Sequence, residues 1–132
     1  MISRRDQISS IILEKVQTSK NGILVDVIER DIISDNISYD DFYSVLIDLF
    51  KNGEIGFIFE IRCPNCGDVL GSFCSIKDIP EKIQCYTCNR LFIKSLDLED
   101  ALRVYVYDKK FFRKYRKRMC GHVRFRTVSD AL

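Results

Sequence analysis

"CPNCGDVLGSFCSIKDIPEKIQCYTC", residues 63–88, holds two C-x-x-C pairs, Cys63/Cys66 and Cys85/Cys88, separated by 18 residues. A C-x-x-C pair in a tight turn aims two sulfurs at one point, and zinc in a structural site takes four such ligands in a tetrahedron. The residue after the second cysteine of such a turn favours a left-handed backbone. Gly67 fills that place in "CPNCG" and Asn89 in "CYTCN", the two residue types that tolerate it best. The intervening residues suffice for a hairpin that brings the turns face to face, with "DVLGSF" and "KIQC" as its strands and "RLFIK" as a third. Redox use of the cysteines fits less well. A redox C-x-x-C opens a helix in a βαβ setting that this pattern lacks, and the second pair would have no role.

Residues 63 to 95 resemble a zinc ribbon. The resemblance implies that Cys63, Cys66, Cys85 and Cys88 hold one structural Zn2+. Cys74, in an apolar stretch, is expected to be a small buried hydrophobe. Cys120 and His122 make a C-x-H pair without a second half, which reads as a spare thiol and a polar tail residue. Four thiolates leave a tetrahedral ion no open position for water. His122 is the only histidine, and neither a phosphate-binding glycine loop nor H-E-x-x-H occurs. The expectation is a non-enzymatic protein whose metal supplies much of the folding energy of a ~30-residue unit.

Working outward toward the N-terminus, three helices and a strand are predicted. Ser3 with Asp6, and Ser38 with Asp41, make S-x-x-D capping patterns. Ile8, Ile11, Ile12 and Val16 mark the first helix, and Leu24, Val27, Ile28 and Ile32 the second. Phe42, Val45, Leu46, Leu49 and Phe50 mark the third, which Gly53 closes. "EIGFIFEIR" reads as a strand with Phe57, Phe59 and Ile61 on one face. Three short helices running straight into a strand resemble the start of a winged helix–turn–helix, and "VLIDLFKNGEIGF" resembles its third helix and first wing strand. "ALRVYVYD" supplies a later strand, so residues 55–62 and 102–108 are expected to pair antiparallel, with the cysteine unit as an enlarged wing. The alternative is two domains side by side, with 102–108 completing the cysteine unit's own sheet. The fold class is therefore α+β. A winged-helix-like domain spans 1–62, the zinc ribbon and returning strand 63–108, and a basic helix and strand extension 109–132.

A winged helix reads DNA by inserting its third helix in the major groove, which needs hydrogen-bond donors on the outer face. Here that arc is Asp40, Asp41, Ser44, Asp48 and Lys51, which a phosphate-lined groove would repel. Tyr39, Tyr43 and Ile47 widen the apolar stripe. They read either as a protein-contact surface or as a broad buried face packed against the tail helix. A winged helix joined to a zinc ribbon is similar to the alpha subunit of the general transcription factor IIE and its archaeal counterpart, and this similarity implies an adaptor role on a larger assembly. This chain departs from that pattern in lacking a long linker before the ribbon and in carrying a basic tail.

The net charge of +2 conceals an asymmetry. Residues 1–108 carry twelve basic and eighteen acidic side chains. From 109 to 126 there are nine cations and no acid: Lys109, Lys110, Arg113, Lys114, Arg116, Lys117, Arg118, Arg124 and Arg126. Interleaved with Phe111, Phe112 and Tyr115, they suit phosphate contact and base stacking. They also suit an acidic protein partner, the chain's own acids, or a plain solvated face; a membrane surface is the least favoured partner. No apolar run approaches the ~20 residues of a membrane span, and the start lacks signal-peptide order, so the expected location is the reducing cytoplasm. The functional expectation is a zinc-binding adaptor that contacts a protein partner in a larger complex, with a tail for nucleic acid or an acidic partner. The alternative is a winged-helix transcriptional regulator that binds DNA.

Overall fold

The computed structural model describes residues 3–19, 21–33, 36–119 and 122–123. The fold mixes helices and strands in the order α1 (Arg4–Gln17), β1 (Ile23–Leu24), α2 (Val25–Ile32), α3 (Tyr39–Lys51), β2 (Ile55–Arg62) and β3 (Val69–Phe73). A 3₁₀ turn follows (Ile76–Asp78), then β4 (Lys82–Gln84), β5 (Leu91–Ile93), α4 (Lys94–Ala101), β6 (Leu102–Asp108), α5 (Lys109–Met119) and β7 (His122–Val123). The chain forms two compact units, Met1–Phe57 with Tyr105–Tyr115, and Ile58–Val104 with Arg116–Leu132.

In the first unit the two serine caps form as the sequence predicts. Ser3 Oγ accepts from the Asp6 N–H at 3.1 Å, and Ser38 Oγ from the Asp41 N–H at 3.2 Å. Ile8, Ile12 and Val16 of α1, Val25, Ile28 and Ile32 of α2, and Phe42, Val45, Leu46 and Leu49 of α3 are buried. The second helix starts one residue later than its apolar spacing suggests, because Leu24 and Ile23 form β1 and pair antiparallel with Tyr105 and Val106 of β6. Phe50 is not a core residue; it is exposed and stacks on Phe57, ring centroids 4.8 Å apart. Along β2 the buried side chains are those of Ile55, Ile58 and Ile61, with Gly56 buried beside them, rather than those of Phe57 and Phe59.

The start of α5 is anchored within this unit. Asp108 Oδ2 accepts from the Lys110 N–H, Lys109 pairs with Glu54 at 3.6 Å, and Phe111 stacks on Tyr107. The Phe112 ring lies so close over Gly56 that a Cβ there would fall inside it.

In the second unit β3 pairs antiparallel with β2, and β4 with β5 as a separate two-stranded sheet. The expected hairpin of "DVLGSF" with "KIQC" does not form. Each cysteine turn is itself a chain reversal, so each folds its following strand back on its preceding one, and the local pairing wins. The larger sheet runs β1-β6-β2-β3-β7, which places β6 beside β2. The core of this unit gathers Ile61, Leu70, Phe73, Ile79, Ile83, Phe92 and Ala101 around Cys63 and Cys85. Cys74 is half-buried and disulfide-bonded, so it is not the buried free hydrophobe expected of it. Cys120 lies outside the described residues. No helix among the described residues is long and apolar enough to cross a membrane.

Candidate metal centre

The two C-x-x-C turns converge. One donor atom from each of Cys63, Cys66, Cys85 and Cys88 lies within 4.8 Å of all the others. Cys63 Sγ stands 3.5 Å from Cys88 Sγ, and Cys66 Sγ 3.6 Å from Cys85 Sγ. A tetrahedron of thiolates around zinc at ~2.3 Å has edges of about 3.8 Å. The donor set therefore fits a four-coordinate metal ion with little movement.

The two turns are built alike, related by an offset of 22 residues. The Cys63 N–H donates to the Asp68 carbonyl at 2.7 Å, and the Cys85 N–H to the Arg90 carbonyl at 3.0 Å. The Gly67 N–H returns to the Cys63 carbonyl at 2.9 Å, and the Asn89 N–H to the Cys85 carbonyl at 2.8 Å. Both reversals need a left-handed residue, and Gly67 (φ +80°) and Asn89 (φ +64°) provide it, as the sequence predicts. In each turn the first cysteine is buried in the core; of the second cysteines, Cys66 is exposed and Cys88 is half-buried against the core. The core thus roots one ligand of each pair, and the turn positions the other.

Polar groups around the sulfurs do not treat them equally. The Asn65 side chain and the Arg90 N–H both donate to Cys88; they outweigh desolvation and bring its thiol down to about 6. At Cys66 the Asp68 N–H pulls the same way, but desolvation and hydrogen bonds with the three other sulfurs prevail and push it up to about 12. Thr87 Oγ1 donates to the Asp68 carboxylate, tying the second turn to the first. Asn65, Thr87 and Asp68 have no part in the reading from cysteine spacing. Their one signal in the sequence is position, since residues 65 and 87 are equivalent under the 22-residue offset.

Of the remaining predicted residues, those that the structure describes lie on α3 and α5. Tyr39, Tyr43 and Ile47 are 57%, 37% and 46% exposed, so they do not form a buried face. Tyr43 donates its hydroxyl to Glu29; desolvation, that bond and the Glu29 and Asp26 charges raise its pKa, which keeps it a neutral donor. The acidic arc of α3 is turned partly toward α1. Arg5 pairs with Asp48 and donates to Ser44, and Arg4 lies 4.0 Å from Asp41. On α5, Lys110, Arg113, Lys114 and Arg116 are exposed and Lys109 is half-buried. The side chains of Lys117 and Arg118, and residues Arg124 and Arg126, lie outside what the structure describes.

Fold and site together define a mixed α+β protein with a four-cysteine centre positioned to bind a metal ion. Comparison of the chain with protein-family models, curated proteins and solved structures gives no match.

Proposed function

We propose that the chain is a non-enzymatic zinc-binding adaptor, in which a winged-helix-like body contacts a protein partner and basic α5 contacts nucleic acid or an acidic partner. Zinc is the metal because an all-thiolate tetrahedral set selects a soft or borderline ion. The role is structural because four thiolates complete the coordination. The sheet order supports the winged-helix reading: β1 pairs with β6, β6 lies beside β2, and the cysteine segment is inserted in the chain between β2 and β6, where a wing belongs.

The observation that carries the adaptor role is the exposed face of α3. It presents Tyr39, Tyr43, Ile47 and Phe50, while Arg4 and Arg5 of α1 occupy Asp41, Ser44 and Asp48. Exposed aromatic and aliphatic side chains suit the centre of a protein interface. They offer few donors for base edges, which weighs against the alternative of a DNA-reading helix.

Fluorescence anisotropy with a labelled duplex and a labelled single strand separates these roles. Charge reversal at Lys110, Arg113 and Arg116 is expected to abolish binding to either probe. Ser44→Ala with Lys51→Ala is expected to leave it intact. Loss of binding to one duplex sequence alone in the Ser44/Lys51 variant would instead make α3 a DNA reader.

A further inference from the structure

The residue immediately before each cysteine turn reaches across it. Arg62 Nη1 donates to the Gly67 carbonyl at 3.3 Å, and Gln84 Nε2 donates to the Asn89 carbonyl at 3.2 Å. Under the 22-residue offset these are the same contact made twice, by two different side chains. A repeated contact with changed chemistry points to a shared task rather than an accident of one turn.

The target of each contact indicates the task. The Gly67 carbonyl and the Asp68 N–H belong to one peptide unit, and a trans peptide is planar with its C=O and N–H pointing opposite ways. Holding the carbonyl therefore sets the direction of the N–H. The Asp68 N–H donates to Cys66 Sγ, and the Arg90 N–H, in the peptide unit of the Asn89 carbonyl, donates to Cys88 Sγ. Arg62 is itself held, its Nε donating to Glu60 at 2.7 Å. A donor on the carbonyl also polarises the peptide and strengthens the N–H on its far side.

We infer that Arg62 and Gln84 are paired positioning residues that aim the Asp68 and Arg90 amides at the second thiolate of each turn, Cys66 and Cys88, and so tune metal affinity without touching the metal. The inference rests on reading the four cysteines as a metal centre. Outer hydrogen-bond partners of metal ligands are commonly worth 10–100-fold in affinity. Each brace here is partly solvated, so the lower end applies.

The test uses the full chain loaded with zinc, and with cobalt(II) as a spectroscopic probe. Arg62→Ala and Gln84→Ala are each expected to weaken zinc about tenfold in competition with a chelator, and to shift the thiolate-to-cobalt absorption. Amide hydrogen exchange supplies the site-specific readout. Arg62→Ala should speed exchange at Asp68 and not at Arg90, and Gln84→Ala should do the reverse. Arg62→Gln should restore much of the affinity, since glutamine spans the same distance at the equivalent position 84. Unchanged exchange at both amides, with affinity within about twofold of the parent, would overturn the inference. Failure of the parent chain to bind zinc or cobalt would instead overturn the metal reading beneath it.

Discussion

Position 89 carries the only left-handed backbone at a non-glycine residue among the described residues, φ +64°, and it sits where a metal turn must reverse. The conformation costs an L-residue roughly 1–2 kcal/mol, least for Gly and Asn. Asn89→Val adds a branched Cβ at that point and should weaken zinc by about tenfold or more, the equivalent of 1.4 kcal/mol. Asn89→Gly should leave affinity near the parent value, because the Gln84 brace engages only the backbone carbonyl. A chelator competition series over the two variants checks both statements. The unequal thiols make a second prediction at this scale. Metal binds thiolate, not thiol. Cys88, brought down to about 6 by Asn65 and the Arg90 N–H, is ionised at neutral pH and offers the first anchor. As pH falls through about 6 it gains a proton, and zinc capture by the metal-free protein should slow. Asn65→Ala removes the largest stabilising contact on that thiolate and should move the loss to higher pH. Stopped-flow capture rates between pH 5 and 8, the range over which the ionisation of Cys88 changes, measure both.

Among the elements, legibility in the sequence followed the strength of the local signal. The caps of α1 and α3 and most of their apolar faces were readable because serine caps and 3.6-residue spacing act within a few residues; Ile11 and Phe50, at the margins of those faces, are exposed. β1 was not readable, since its two residues become a strand only by pairing with β6, some eighty positions away. α4 was missed for another reason. Its first amides are satisfied by Glu81, far back in the chain, whose carbonyl accepts from the Lys94 N–H at 2.7 Å and whose carboxylate accepts from the Ser95 N–H at 3.3 Å. Asp97, inside the helix, accepts from the Ile93 N–H at 2.8 Å. The four cysteines were readable because their spacing carries the chemistry, but the strand pairing around them was not, since spacing does not say which neighbour a turn folds onto. Gly56 shows the same limit. The sequence gives no reason for a glycine within β2, yet the Phe112 ring fills the place of its side chain. Gly56→Ala should therefore displace α5 and cost about 1–3 kcal/mol, the usual range for overpacking. The midpoint of denaturant unfolding should fall accordingly. Phe112→Ala combined with Gly56→Ala should recover part of the loss introduced by the alanine, because the ring that clashes is gone.

Across the whole molecule, charge is segregated along the chain: residues 1–108 carry a net −6, while the nine cations of the tail begin at α5. The acids of α3 are partly spent on α1, through Arg4–Asp41 and Arg5–Asp48, and exposed pairs of this kind contribute little to stability. They reduce the free negative charge on α3 beside its exposed Tyr39, Tyr43 and Ile47. The cations of α5 are arranged differently. Phe111 and Phe112 are committed to Tyr107 and Gly56, so these two rings are used in anchoring the helix, and Lys110, Arg113 and Arg116 are exposed. Where its side chains are described, α5 therefore offers cations rather than rings to solvent. On the proposal that α5 contacts nucleic acid, binding should be governed by counterion release, with little preference between sequences. On a duplex, each cation removed should lower the slope of log affinity against log salt by about one. The triple variant Lys110→Ala, Arg113→Ala and Arg116→Ala should lower it by about three relative to the parent. Anisotropy titrations between roughly 50 and 200 mM salt resolve a change of that size. A slope that does not respond to the three substitutions would place phosphate binding elsewhere in the chain and leave an acidic protein surface as the partner that α5 fits.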